Sequence, residues 1–345
     1  MAVTDTTLRT AAAARTTADD QVDAVTRDLV AAWAVARAEQ RNRLATALTA
    51  LTAAAAAWPS RRSIAASGDL QAALAGLHIL YGRLADTAAS HIGRAALSAA
   101  HDAAAAQPGI VATQLPPGAA VPAAPVPADR LEQLVRATTR YGTGLLRALP
   151  GLVLTQIREL LVRGQPGREP RVAAARVVEA CEQVCNAALA RVLLIARTQV
   201  MDAHRAAAHA AHDELQAAVP GLLHGWVWLS RLTVDTCVAC WAMHGTFHPL
   251  DEPGPNDHPA GRCTPLPVVA PWDGLGYGTP EPVSAIPNAR AAFMALPRAD
   301  QLQVMGPGRL ALLDSGDIGW ADLVRRRDNA DWRPTYEPVP IRDLI

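Results

Sequence analysis

Apolar residues return at roughly helical spacing over the first 58 positions: Leu8, Val22, Val25, Leu29, Val30, Trp33, Val35, Leu44, Leu48 and Leu51. Thr4 or Asp5 can cap this helix, and Trp58-Pro59-Ser60 ends it, because proline cannot continue the hydrogen-bond ladder. A second helix starts near Gly68-Asp69 and carries Leu70, Leu74, Leu77, Leu80, Leu84, Ile92 and Leu97 on one side. The two stripes predict an antiparallel hairpin of helices. Residues 107–127 hold six prolines and no charge, which predicts a semi-rigid spacer and a first domain boundary. Asp129 then caps a helix through Leu149, Pro150-Gly151 interrupts it, and Leu152 to Val162 adds a few turns.

Glu169-Pro170 opens the next long helix, which meets no breaker before Pro220-Gly221. Val177, Val178, Val184, Leu189, Val192, Leu193 and Ile195 form its buried stripe, and Cys181 and Cys185, one turn apart, read as small core residues. His204, His209 and His212 follow on the same helix and read as exposed or interface histidines. Beyond Pro287, short helices are expected at Asn288–Leu296, Ala299–Met305, Gly308–Leu313 and Trp320–Arg327. Residues 328–345 then form an extended tail, loose or laid on a neighbour.

Between these helical regions the pattern changes. From Trp226 apolar residues alternate as in a strand and run into Thr236-Cys237-Val-Ala-Cys240; Gly245 marks a second turn, and His258 and Cys263 return after a Pro/Asp/Gly loop. The spacing Cys-x2-Cys-x17-His-x4-Cys offers three thiolates and an imidazole, a set suited to tetrahedral Zn2+. Four protein ligands would close the shell, so such a metal would be structural. His244 and His248 are rival ligands. A disulfide joining Cys237 to Cys240 or to Cys263, or three reduced buried thiols, remain open alternatives.

These residues resemble the signature of the phage Mu F-like head morphogenesis family, the minor head proteins of tailed bacteriophages. Arg197-Thr198-Gln199 stands for the family's Arg-Thr-Glu helix, Trp228 for its tryptophan strand, and Thr236-Cys237 with Cys240 for its Thr-Cys-x2-Cys. Gly245 supplies the turn, and His258-Pro259 with Arg262-Cys263 the closing element. Two positions depart: Gln199 replaces an acidic residue, and Gly261 replaces the first cysteine of the closing pair. The resemblance covers about residues 170–270 and more loosely the chain to about 326. It implies a virion component that binds the portal protein and other capsid proteins during assembly in the host cytoplasm. Packaged DNA is a further partner it allows.

The expected organisation is mainly α with a small α+β module. A helical arm (1–106) and the spacer (107–127) precede a Mu F-like domain with a β-containing Cys/His knuckle (128–270), and short helices and a tail follow (271–345). Arg197 is expected to tie the long helix to the Cys-x2-Cys unit, through backbone carbonyls or Asp235.

Composition narrows the function classes. Net charge is zero, whereas a chain that coats nucleic acid carries a basic excess. Every basic residue is arginine, and aromatics make up 4%. No charged stub precedes an apolar run at the start, and no stretch reads as apolar enough to span a bilayer. An odd cysteine count suits a reducing interior. No Gly-x-Ser-x-Gly, Walker loop or His-Glu-x2-His is present, so no enzyme is expected. The alternative is a metal-dependent nuclease or hydrolase acting through the His258 loop, where Asp235, Asp251, Glu252 and Asp257 crowd. A third reading is a helical scaffold holding DNA through arginine.

Overall fold

Alanine-rich periodic stretches become long helices, because alanine carries the highest helix propensity and lets neighbouring helices approach closely. The computed structural model describes residues 1–164 and 167–345. Its first 218 residues form α1 (Asp5–Thr52), a short α2 (Arg61–Ala66), α3 (Gly68–Ala112), α4 (Ala128–Arg163) and α5 (Pro170–Ala218). The chain is mainly α with a small β-containing module, as its patterning predicts.

Two predicted breaks do not occur. Helix α3 continues through Pro108 and α4 through Pro150. Each proline costs about 3 kcal/mol in a helix interior. The apolar stripe continues across both, through Ile110 and Val111 in α3 and through Leu146, Leu149, Val153 and Leu154 in α4. Burial of those side chains, about 1.5–3 kcal/mol each, outweighs the lost hydrogen bond. Helix α5 starts as expected, with the Glu169 carboxylate accepting from the backbone N–H of Arg171 and Val172 at 3.1 and 3.0 Å. By length and composition alone α5 is long and apolar enough to cross a membrane. Half of its most apolar stretch is buried inside the protein.

The described residues form two compact units whose limits fall inside the long helices and not at 106 or 127. One comprises Val22–Ala95 and Thr139–Ala196, the other Met1–Gln21, Ala96–Thr138 and Arg197–Ile345. In the first, α1 and α3 lie antiparallel. Asp28 meets His91 at 3.0 Å, and farther along Tyr81 donates to Gln40 Oε1 at 2.6 Å. Gln40 Nε2 in turn donates to the Cys181 carbonyl at 2.7 Å. Trp33, Leu44, Leu48, Leu77 and Tyr81 fill the core, with Cys181 and Cys185 buried beside α5's stripe as expected.

The second unit holds the β module. Strand β1 (Leu223–Leu229) leads to α6 (Val238–Met243), and β2 (Phe247–His248) and β3 (Thr264–Val269) complete an antiparallel sheet ordered β2-β1-β3. The expected spacer is partly structural. Gln114 Nε2 donates to the Pro267 carbonyl at 2.7 Å, and Leu115 and Val121 pack with Leu223, Val269 and Trp272. Helices α7 (Ala289–Met294) and α8 (Arg298–Ser315), the latter kinked at Gly306, cover the outer face of α6. Trp320–Arg327 is not a helix: a 3-10 turn precedes β4 (Val324–Arg327), which pairs with β5 (Thr335–Pro338). The tail therefore folds back on its own chain, where Tyr336 N donates to the Asn256 carbonyl at 2.7 Å.

Candidate metal centre

Local structure explains how the cysteines meet. After β1, Thr236 Oγ1 accepts from the Thr233 N–H at 3.0 Å, closing a turn that places Cys237 at the N-cap of α6. The Cys237 sulfur accepts from the Cys240 N–H at 3.3 Å, so both sulfurs occupy the start of one helical turn. Gly245, at φ +84°, lets the chain reverse from α6 into β2, and its N–H donates to the Trp228 carbonyl at 2.9 Å. The loop after β2 brings back His258, then Cys263 immediately before β3.

Ligand atoms of Cys237, Cys240 and His258 lie within 4.8 Å of one another, as do those of Cys240, Asp257 and Cys263. The two groups share Cys240, and together they hold all four residues singled out by spacing. All five cysteines of the chain are unpaired, so neither alternative disulfide is formed. This Cys/His/Asp cluster could hold a metal ion, and its soft sulfur and imidazole donors suit one. His258 Nδ1 donates to the Pro259 carbonyl at 2.9 Å, so Nε2 is the nitrogen that could bind a metal once its proton is lost. A hydrogen bond from Cys240 pulls the Cys237 thiol down to about 5 against the effect of burial. Its hydrogen bond to Cys237 raises His258 to about 9. Hydrogen bonds to Cys237 and Cys263, with burial, raise Cys240 well above the ordinary thiol value.

Trp226 and Trp228 pack in the same apolar cluster as Cys240, Met243 and Cys263. Trp226 stacks on His248 with centroids 4.2 Å apart, and Trp228 meets Tyr336 edge-on at 5.5 Å. The face of the cluster is thus dry on the sheet side.

The tie to α5 is made by a residue that the sequence reading passed over. Arg205 donates to the Cys263 carbonyl at 2.8 Å, the Gly261 carbonyl at 2.9 Å, Asp202 at 2.9 Å and Asp257 at 2.6 Å. Arg197 does not fill that role, since its Nε is buried without a hydrogen-bond partner. Nor does it reach Asp235, which is exposed. Two helical turns separate the arginines, and the Asp202/Arg205 pair at i,i+3 was the available signal. Asp257 also accepts from the Cys263 N–H at 3.1 Å, and Arg333 from the tail donates to the Asp257 carbonyl at 2.7 Å and to Asp202 at 2.8 Å. A Cβ on Gly261 would stand 2.0 Å from Asp257 Oδ2. Glycine at this position makes room for the buried aspartate.

The other singled-out residues fall as follows. Thr198 Oγ1 accepts from the Ala260 N–H at 2.9 Å, tying α5 to the His258-Pro259 loop, and Gln199 is buried. Arg262 approaches Asp19 at 3.6 Å. His244 Nδ1 accepts from the Ser230 N–H at 3.1 Å, and His248 meets Glu252 at 3.1 Å, so both rivals stand outside the two ligand groups. The reading of the α5 histidines as exposed or interface residues fails for His204 and His212, while His209 is half-buried. His204 and His212 are buried, and His212 Nε2 donates to Gln107 at 2.9 Å. Burial lowers His204 to about 4. They face inward because small alanines flank them and α3 packs there. Of the crowded carboxylates, Asp257 is engaged by two arginines and Glu252 by His248, while Asp235 and Asp251 are exposed.

Comparison with known protein families, curated proteins and solved structures finds no match to this chain.

Proposed function

We propose that this chain is a structural, non-enzymatic minor head protein of a tailed bacteriophage, acting at the portal vertex during capsid assembly and DNA packaging or ejection. One observation carries the reading. Motif residues separated along the chain from Thr198 to Cys263 gather around one cluster, with Thr198 on the His258 loop and Trp228 packed beside Cys240 and Cys263.

In this reading Cys237, Cys240, His258 and Cys263 hold one Zn2+, which pins the small sheet and the returning loop to α5. The metal supplies cross-linking and not chemistry, because four protein ligands leave no position for substrate. The chain works in the virion and, before that, in the host cytoplasm, with the portal protein and other capsid proteins as partners. Cosedimentation of the purified chain with portal assemblies tests it. Binding at a fixed ratio per portal ring supports the role. Failure to bind, together with divalent-metal-dependent phosphodiester cleavage, would replace it with the hydrolase reading.

A further inference from the structure

Beside the cluster lies a partly enclosed cavity of about 380 Å³, lined by Arg231, Asp235, Arg262 and the four cysteine and histidine ligands. Arg231 and Arg262 share one acidic neighbour there, Asp19, and neither makes a hydrogen bond to it. Arg231 stands 3.5 Å and Arg262 3.6 Å from the carboxylate of Asp19, too far or too misaligned for a hydrogen bond, and neither guanidinium donates to any described residue. Behind them Arg15 feels both Arg231 and Asp19, and burial followed by Arg231 lowers its affinity for its proton. Asp19 is mostly buried, with a side-chain exposure of 15%, yet its Oδ1 has no hydrogen-bond partner. Two guanidiniums thus stand against one carboxylate without a hydrogen bond to it, and a third, Arg15, acts on it electrostatically.

The guanidiniums of Arg205 and Arg333, by contrast, make close, well-directed bonds to Asp202 and Asp257. Each arginine presents five N–H donors in a planar fork that matches oxyanions. Arg231 and Arg262 are 44% and 37% exposed and line one cavity, so both forks are accessible to the same occupant. A carboxylate has two oxygens and can satisfy one fork. A phosphate has enough oxygens to satisfy two at once. Asp235 is the only acidic residue lining the cavity among those described, and its exposed side chain is solvated.

We infer that this cavity is a phosphate-binding site, clamped by Arg231 and Arg262, whose ligand is either a free phosphate ion or the terminal phosphate of a nucleic-acid strand. The inference does not depend on the virion reading, and it requires no particular metal in the neighbouring cluster.

The test is calorimetric titration of the full-length chain as purified, without added metal, at low ionic strength. One arm uses inorganic phosphate. A second compares a short oligothymidylate bearing a 5′-phosphate with the same strand ending in a hydroxyl. The paired variant Arg231→Gln/Arg262→Gln is expected to weaken phosphate at least about tenfold, the loss of two charge-assisted contacts, while melting temperature and zinc content stay at wild-type values. Asp235→Asn should tighten binding by removing the cavity's own acid. A preference for the phosphorylated strand assigns the ligand to nucleic acid. Binding of the free ion without that preference assigns it to phosphate itself, and both outcomes support the site. No binding in either arm, or equal binding by wild type and the double-glutamine protein, overturns it.

Discussion

Replacing Arg205 by alanine is the perturbation with the largest worked consequence. Its guanidinium makes two bonds to carboxylates and two to backbone carbonyls, all buried. Charge-assisted bonds contribute about 1.5–3 kcal/mol each and neutral ones about 1 kcal/mol, before the several kcal/mol that burying the ion costs. Removing one partner leaves Asp202 and Asp257 buried with Arg333 as their shared counterion, and breaking such a network costs about 3–5 kcal/mol. Arg197→Ala should cost less than about 1 kcal/mol, since its Nε already lacks a partner. Urea unfolding followed by tryptophan emission reads the right unit. Trp226, Trp228, Trp241, Trp272, Trp320 and Trp332 lie with Arg205, and only Trp33 and Trp58 in the other unit. A loss below about 1 kcal/mol for Arg205→Ala, or equal losses for the two arginines, would refute the assignment of the tie to Arg205.

Gly261→Ala should destabilise by about 1–3 kcal/mol through overpacking against Asp257, read as a lowered melting temperature; an unchanged value contradicts the 2.0 Å approach. Metal affinity should rise with pH. His258, raised to about 9, and Cys240, also raised, hold protons that a metal must displace, whereas Cys237 at about 5 is already ionised at neutral pH. Acidification from pH 9 to pH 6 should therefore weaken competition of the protein against a chromophoric zinc chelator, and a flat profile would contradict it. Cys181→Ala and Cys185→Ala should leave metal stoichiometry unchanged, because both sit in the other compact unit, while Cys240→Ser should abolish it. Truncation before Asn329 should lower stability as well, since it removes Arg333 and Tyr336 from the site.

The long helices and the gathering of Cys237, Cys240, His258 and Cys263 into one cluster were legible because each rests on local information: periodicity in one case and spacing around tight turns in the other. The stop signals were less reliable. Pro108 and Pro150 are tolerated where the apolar stripe on both sides is buried, a tertiary effect that no local rule contains. The same limit hid the inward-facing His204 and His212, whose exposure depends on what α3 places opposite them. Arg205 was missed for a different reason. Its partners Asp257, Gly261 and Cys263 lie more than fifty positions away, and only the fold brings a carboxylate and two carbonyls to one guanidinium. The folded-back tail, with Arg333 and Tyr336 at the cluster, was equally beyond reach, because a proline-rich charged segment carries no pattern that names its docking surface.

The central claim is that three sulfurs and one imidazole from this loop-rich segment share a single metal ion. X-ray absorption at the zinc edge, on protein purified without chelator, tests it directly. One zinc per chain with three sulfurs at about 2.3 Å and one nitrogen at about 2.0 Å is the predicted result. A well-folded protein without zinc, or a shell dominated by oxygen, would contradict it.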